Sequence, residues 1–100
     1  MAPKELKALI LLMDHREGLF GSELVGLSDG YLSRGTVYTL LERLVQKGYV
    51  TEQDVPATTS YQIARTKHHI TGAGQKAVHD YLNVMNLYRA PSLTSGGVPS

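Results

Sequence analysis

Between residues 3 and 46 the apolar positions recur at helical spacing in three stretches, after which the pattern changes to short alternation. Leu6, Leu9, Ile10 and Met13 follow the i, i+3, i+4, i+7 order of an amphipathic helix over residues 3–15, with Pro3 suited to its first turn. Gly18 then breaks the period. Glu23, Leu24, Val25 and Leu27 read as a second helix of about two turns, capped by Ser22 or a neighbour and stopped by the turn-forming Asp29-Gly30. A helix this short exists only through packing against others. From Ser33 to Gln46 a third stripe, Val37, Leu40, Leu41, Leu44 and Val45, has the same period. Ser33 is placed to accept a hydrogen bond from the Thr36 amide, and Lys47-Gly48 supplies a cation and then a glycine at the other end.

Residues 49–53, 61–63 and 67–70 alternate and are rich in β-formers, and the stretch 54–60 between them contains Pro56 and three small hydroxyl residues. This predicts a hairpin with a mobile tip, in which residues 61–63 belong either to the returning strand or to a long loop. Thr71 then caps a last helix with Ala73, Ala77, Val78, Tyr81, Leu82, Met85 and Tyr88 on its apolar side, about 25 Å long. Residues 90–100 are dense in Pro, Gly and Ser and predict a disordered tail. The order of elements predicts a mainly α fold with a small β-hairpin: a winged helix-turn-helix domain over residues 1–70, a C-terminal helix over 71–89, and the tail.

Composition narrows the chemistry. A hydrophobic content of 42% in 100 residues supports one modest core. The absence of cysteine rules out disulfides and thiolate metal sites and fits a reducing, cytoplasmic setting. The longest apolar run after the N-terminus, residues 8–13, is far too short for a membrane span, and no membrane partner is expected. Net charge is only +1, but residues 1–30 carry three basic and five acidic side chains, against six basic and three acidic over residues 31–79. That polarity is compatible with one face meeting phosphates.

With its stripe buried, the third helix presents Arg34, Gly35, Thr36, Thr39, Arg43 and Gln46 outward, with Tyr38 at the boundary. Hydroxyls and long donors near the N-terminus of such a helix suit entry into a major groove. Gly35 disfavours a helix by roughly 1 kcal/mol against alanine, and close approach of a phosphate or base gives it a reason; a first-turn glycine is also cheap enough to be accidental. Arg65 and Lys67 flank the returning strand, where a wing reaches the backbone across the adjacent minor groove. No catalytic role, cofactor or metal is expected. The four histidines, His15, His68, His69 and His79, form no recognised catalytic or metal-binding motif, and strand neighbours such as His68 and His69 point to opposite faces.

Leu9-Ile10-Leu11-Leu12, the run Ser33-Arg34-Gly35-Thr36-Val37-Tyr38-Thr39-Leu40-Leu41-Glu42-Arg43-Leu44, and Lys47-Gly48-Tyr49-Val50 together resemble PadR-type transcriptional regulators, over about residues 6–80. Ile70-Thr71-Gly72-Ala73-Gly74 resembles the family's passage from wing to last helix. The resemblance implies that Tyr38 reaches the DNA backbone or groove edge, that Ser33, Arg34 and Thr36 sit at the groove floor or phosphates, and that Arg65 and Lys67 serve the wing. The wing loop departs from the family by lacking its run of basic and aromatic residues. A single C-terminal helix resembles the short subfamily, whose last helix crosses to a second subunit; the family commonly represses nearby genes, and some members are released by small aromatic ligands.

Independently, the apolar face formed by Val78, Tyr81, Leu82, Met85 and Tyr88 needs a cover; a symmetric second copy is the economical one, and packing back on the same domain is the alternative. Two recognition helices about 34 Å apart would then read an inverted repeat. Tyr81, Met85 and Tyr88 of two facing helices could also enclose a small aromatic effector. Two functional classes therefore stand: a homodimeric, sequence-specific regulator of double-stranded DNA, expected to repress, or a winged-helix protein-interaction module that never meets DNA.

Overall fold

The computed structural model describes the backbone of residues 1–57 and 65–93, with side chains through residue 85. Four helices, α1 (Pro3–Asp14), α2 (Gly21–Leu27), α3 (Arg34–Gln46) and α4 (Gly72–Leu93), pack against a small antiparallel sheet of β1 (Leu19–Phe20), β2 (Val50–Val55) and β3 (Arg65–Ile70). Strand order is β1-β3-β2.

Helix α1 is more central than its spacing predicts. Ala8, Leu9, Leu11 and Leu12 are buried, whereas Leu6, Ile10 and Met13 of the expected stripe are only partly so. The reason is that α1 touches α2, α3, α4 and β3, so no single face is its core face. Its buried Glu5 receives Lys47 Nζ at 3.1 Å to both carboxylate oxygens, tying the start of α1 to the end of α3.

Helix α3 buries Val37, Leu40, Leu41 and Leu44 as its period requires, while Val45 is half-buried. Its cap differs from expectation. The Ser33 hydroxyl does not accept from the Thr36 amide; that amide bonds the Ser33 carbonyl at 3.2 Å, and the two hydroxyls bond each other at 2.8 Å. The first turn closes through backbone alone, which frees both side-chain oxygens for each other. At the C-terminus, Gly48 with φ +81° lets its amide reach Val45 and the Tyr49 amide reach Leu44, satisfying two terminal carbonyls. The α2–α3 turn at Asp29-Gly30 is held by buried Ser28, whose Oγ donates to the Val25 carbonyl and accepts from the Leu32 amide, each at 2.9 Å.

The predicted hairpin is present, pairing Val50 with Ile70 through to Val55 with Arg65, so both strands reach two residues closer to the tip than their patterns suggest. Residues 61–63 lie outside the described residues. The sheet gains β1, which pairs Leu19 with His68 and Phe20 with Lys67. Two residues are too few to show alternation, and their partners lie far along the chain. The cap of α2, expected at Ser22 or a neighbour, is Phe20, whose amide donates to Glu23 Oε1 at 2.8 Å.

Thr71 caps α4 as its sequence indicates: its Oγ1 accepts from the Gly74 amide at 3.0 Å and donates to the Gly48 carbonyl at 2.7 Å. The 22 residues of α4 span about 33 Å rather than 25 Å. Residues 90–93, expected in the tail, belong to this helix; residues 94–100 lie outside the described residues.

Candidate nucleic-acid interface

The side chains that point away from the core at the start of α3 are Ser33, Arg34, Thr36, Tyr38 and Thr39, all exposed; Arg43 is exposed two turns further on. The exposed faces have distinct borders. Tyr38 and Glu42 face a cleft of about 440 Å³ that runs between α3 and the hairpin, while Thr36, Thr39 and Arg43 border a groove against Lys4 and Tyr31 at the start of α1 and after α2. A Cβ placed on Gly35 would meet nothing within 4 Å, so packing among the described residues gives that glycine no reason. Tyr38 is 58% exposed, yet its ring is not free: it rests on Gly21.

On the hairpin, Arg65, Lys67 and His69 share one face of β3. The Arg65 guanidinium lies 3.6 Å from the centroid of the Phe20 ring, Lys67 Nζ lies 5.5 Å from it, and Arg65 Nη2 also donates to Ser22 Oγ at 3.2 Å. Phe20, Gly21 and Ser22 are thus parts of the surface that sequence reasoning does not find. Their contacts are to residues distant in sequence, and no local pattern marks them.

The two neighbouring histidines diverge as strand geometry requires. His69 bonds Gln53 Oε1 at 2.7 Å on the outer face. His68 is buried, with Nε2 3.5 Å from Glu52 and a buried Nδ1 without a hydrogen-bond partner. Burial holds its pKa below the ordinary 6.5, and Glu52 only partly opposes this. Because the folded state prefers the neutral ring, the stability this gives is complete above about pH 6.5 and is lost as pH falls through the depressed folded value. The thermal midpoint is expected to drop between about pH 7.5 and pH 5, and to drop less in His68→Gln, as read by circular dichroism melts. Equal declines in both proteins would remove His68 from the account.

Residues 13–80 match the Transcriptional regulator PadR-like family. The chain belongs to that family. Its fold agrees: a putative transcriptional regulator of Thermoplasma acidophilum superposes with a TM-score of 0.66 at 25% identity, covering 87% of this chain and 86% of that one. A PadR-like transcription factor of Bacteroides fragilis gives 0.69 at 21% identity over 87% and 85% of the two chains. A mutant of Staphylococcus aureus MepR gives 0.67 at 20% identity over 94% and 67%. The last two likenesses concern fold alone. No curated protein matches the sequence.

In this PadR-like chain the surface expected to dimerise divides along α4. Val78 is 1% exposed and belongs to the chain's own core, where α4 crosses α1. This corrects its assignment to an interface: periodicity identifies an apolar face but not what covers it. Tyr81 is half-buried, whereas Leu82, Val84 and Met85 are 40%, 51% and 38% exposed. The side chain of Tyr88 lies outside the described residues. No described helix is long and apolar enough to cross a membrane, and no three described His, Asp or Glu side chains cluster to hold a metal.

Proposed function

We propose that this PadR-like regulator binds double-stranded DNA sequence-specifically, as a homodimeric repressor acting on an inverted-repeat operator. The observation that carries the reading is the exposed start of α3, where Arg34, Thr36, Tyr38 and Thr39 present their side chains to solvent around a glycine that no described neighbour requires. In this role Ser33, Arg34, Gly35, Thr36 and Thr39 approach base edges, Tyr38 and Arg43 reach groove edge or phosphate, and Arg65 and Lys67 serve the wing. The DNA-binding unit is residues 1–70, and α4 supplies the dimer contact through Tyr81, Leu82 and Met85.

The deciding experiment selects bound fragments from a random duplex pool and follows affinity against salt. The expected result is an inverted repeat with half-sites about 34 Å apart and affinity that falls steeply as salt rises. Retention of no duplex at low salt would leave the protein-interaction module instead.

Gly35 offers a separate check. Alanine there removes backbone freedom and meets no neighbour, so Gly35→Ala is expected to raise stability by up to about 1 kcal/mol while weakening duplex binding severalfold. Denaturant unfolding and a binding titration read the two effects. Unchanged affinity would mean that the first turn of α3 does not come close to DNA.

A further inference from the structure

Three consecutive residues at the β1–α2 boundary each touch a group of the proposed DNA surface. The Phe20 ring carries the Arg65 guanidinium at 3.6 Å, and Ser22 Oγ accepts from Arg65 Nη2 at 3.2 Å. Between them Gly21 is buried, and a Cβ on it would stand 2.6 Å from Tyr38 Cε1 and 2.9 Å from Cζ. The Tyr38 ring therefore lies directly on the backbone of residue 21, in a seat that only a hydrogen leaves open.

The geometry points to Phe20-Gly21-Ser22 as a positioning junction that fixes the spacing between Tyr38 of α3 and Arg65 of the wing. This rests on the DNA-binding reading above. An exposed tyrosine and an exposed arginine sample many rotamers, and ordering them at the moment of binding weakens affinity. The junction orders both beforehand. It is itself fixed from two sides, because Phe20 pairs with Lys67 on the wing strand and Leu24, one turn into α2, is fully buried in the core. One support thus holds an α3 contact and a wing contact in register with a single duplex.

Double-mutant cycles on the full chain, read by anisotropy of a labelled, selected duplex, test this. Gly21→Ala is expected to weaken binding roughly tenfold, because the ring must leave its seat, and Gly21→Ala with Tyr38→Ala is expected to bind no more weakly than Tyr38→Ala alone. Likewise Phe20→Leu keeps apolar bulk but removes the cation's support. It is expected to weaken binding severalfold, with a much smaller further loss when added to Arg65→Ala, the remainder being what the more distant Lys67 loses.

The colliding atoms are the far end of a side chain that can swing aside, so Gly21→Ala folds. Should it melt early, the comparison of Tyr38→Ala with the double variant, where no ring is left to collide, still decides. Losses that multiply in the double variants overturn the junction, as does wild-type affinity in Gly21→Ala when Tyr38→Ala binds weakly. A wild-type chain that retains no duplex overturns the DNA-binding reading and the junction with it.

Discussion

Replacing both Arg34 and Tyr38 by alanine is expected to lower affinity for the selected duplex by about 100-fold or more while leaving the fold intact. Both side chains are exposed, and neither contributes to the buried cluster of Val37, Leu40, Leu41 and Leu44 on the opposite side of α3. Removing Arg34 takes a charged donor from the first turn of α3, and removing Tyr38 empties the seat above Gly21. The salt dependence should fall by about one phosphate contact per subunit if Arg34 meets the backbone, and selectivity should relax at one position of each half-site if it meets a base. Binding titrations over a salt series, with melts as the folding control, distinguish these. A double variant that still binds within about threefold of wild type would place the reading surface elsewhere.

Gly74→Ala is expected to lower unfolding free energy by about 2 kcal/mol. A Cβ at residue 74 would run into the backbone carbonyl of Tyr49 and the Ile70 side chain. The carbonyl cannot swing aside. It also accepts the Thr71 amide at 2.9 Å, so a shift there disturbs the junction of β2, β3 and α4 together. Helix propensity opposes the clash by up to about 1 kcal/mol, which is why the net figure is not larger. Gly72→Ala is the control: a Cβ there meets nothing within 4 Å, and its melt should match or exceed wild type. A Gly74→Ala protein melting with wild type would show that α4 does not start against Tyr49.

Helix α3 is legible in the sequence because its information is local. The stripe from Val37 to Leu44 and the Lys47-Gly48 stop mark a helix through near neighbours in the chain, and burial of that stripe dictates that Arg34, Thr36 and Thr39 face out. Thr71 and the Asp29-Gly30 turn are legible for the same reason. Local pattern also places Ser33 at a helix start, but it does not reveal the bonding there, since a short backbone bond and a neighbouring hydroxyl compete for the same groups.

What the sequence by itself determined is therefore the identity and order of the helices and the hairpin and the outward face of α3, together with the candidates Arg34, Thr36, Tyr38, Arg65 and Lys67. Tertiary structure alone decided three matters: that Leu19–Phe20 becomes a third strand, that Val78 belongs to the chain's own core, and that Phe20, Gly21 and Ser22 support Tyr38 and Arg65. Each depends on groups far apart in the chain meeting across space. Periodicity records which side of an element is apolar, but the neighbour that covers that side, and the atoms that close on a buried glycine, are set only when the elements pack.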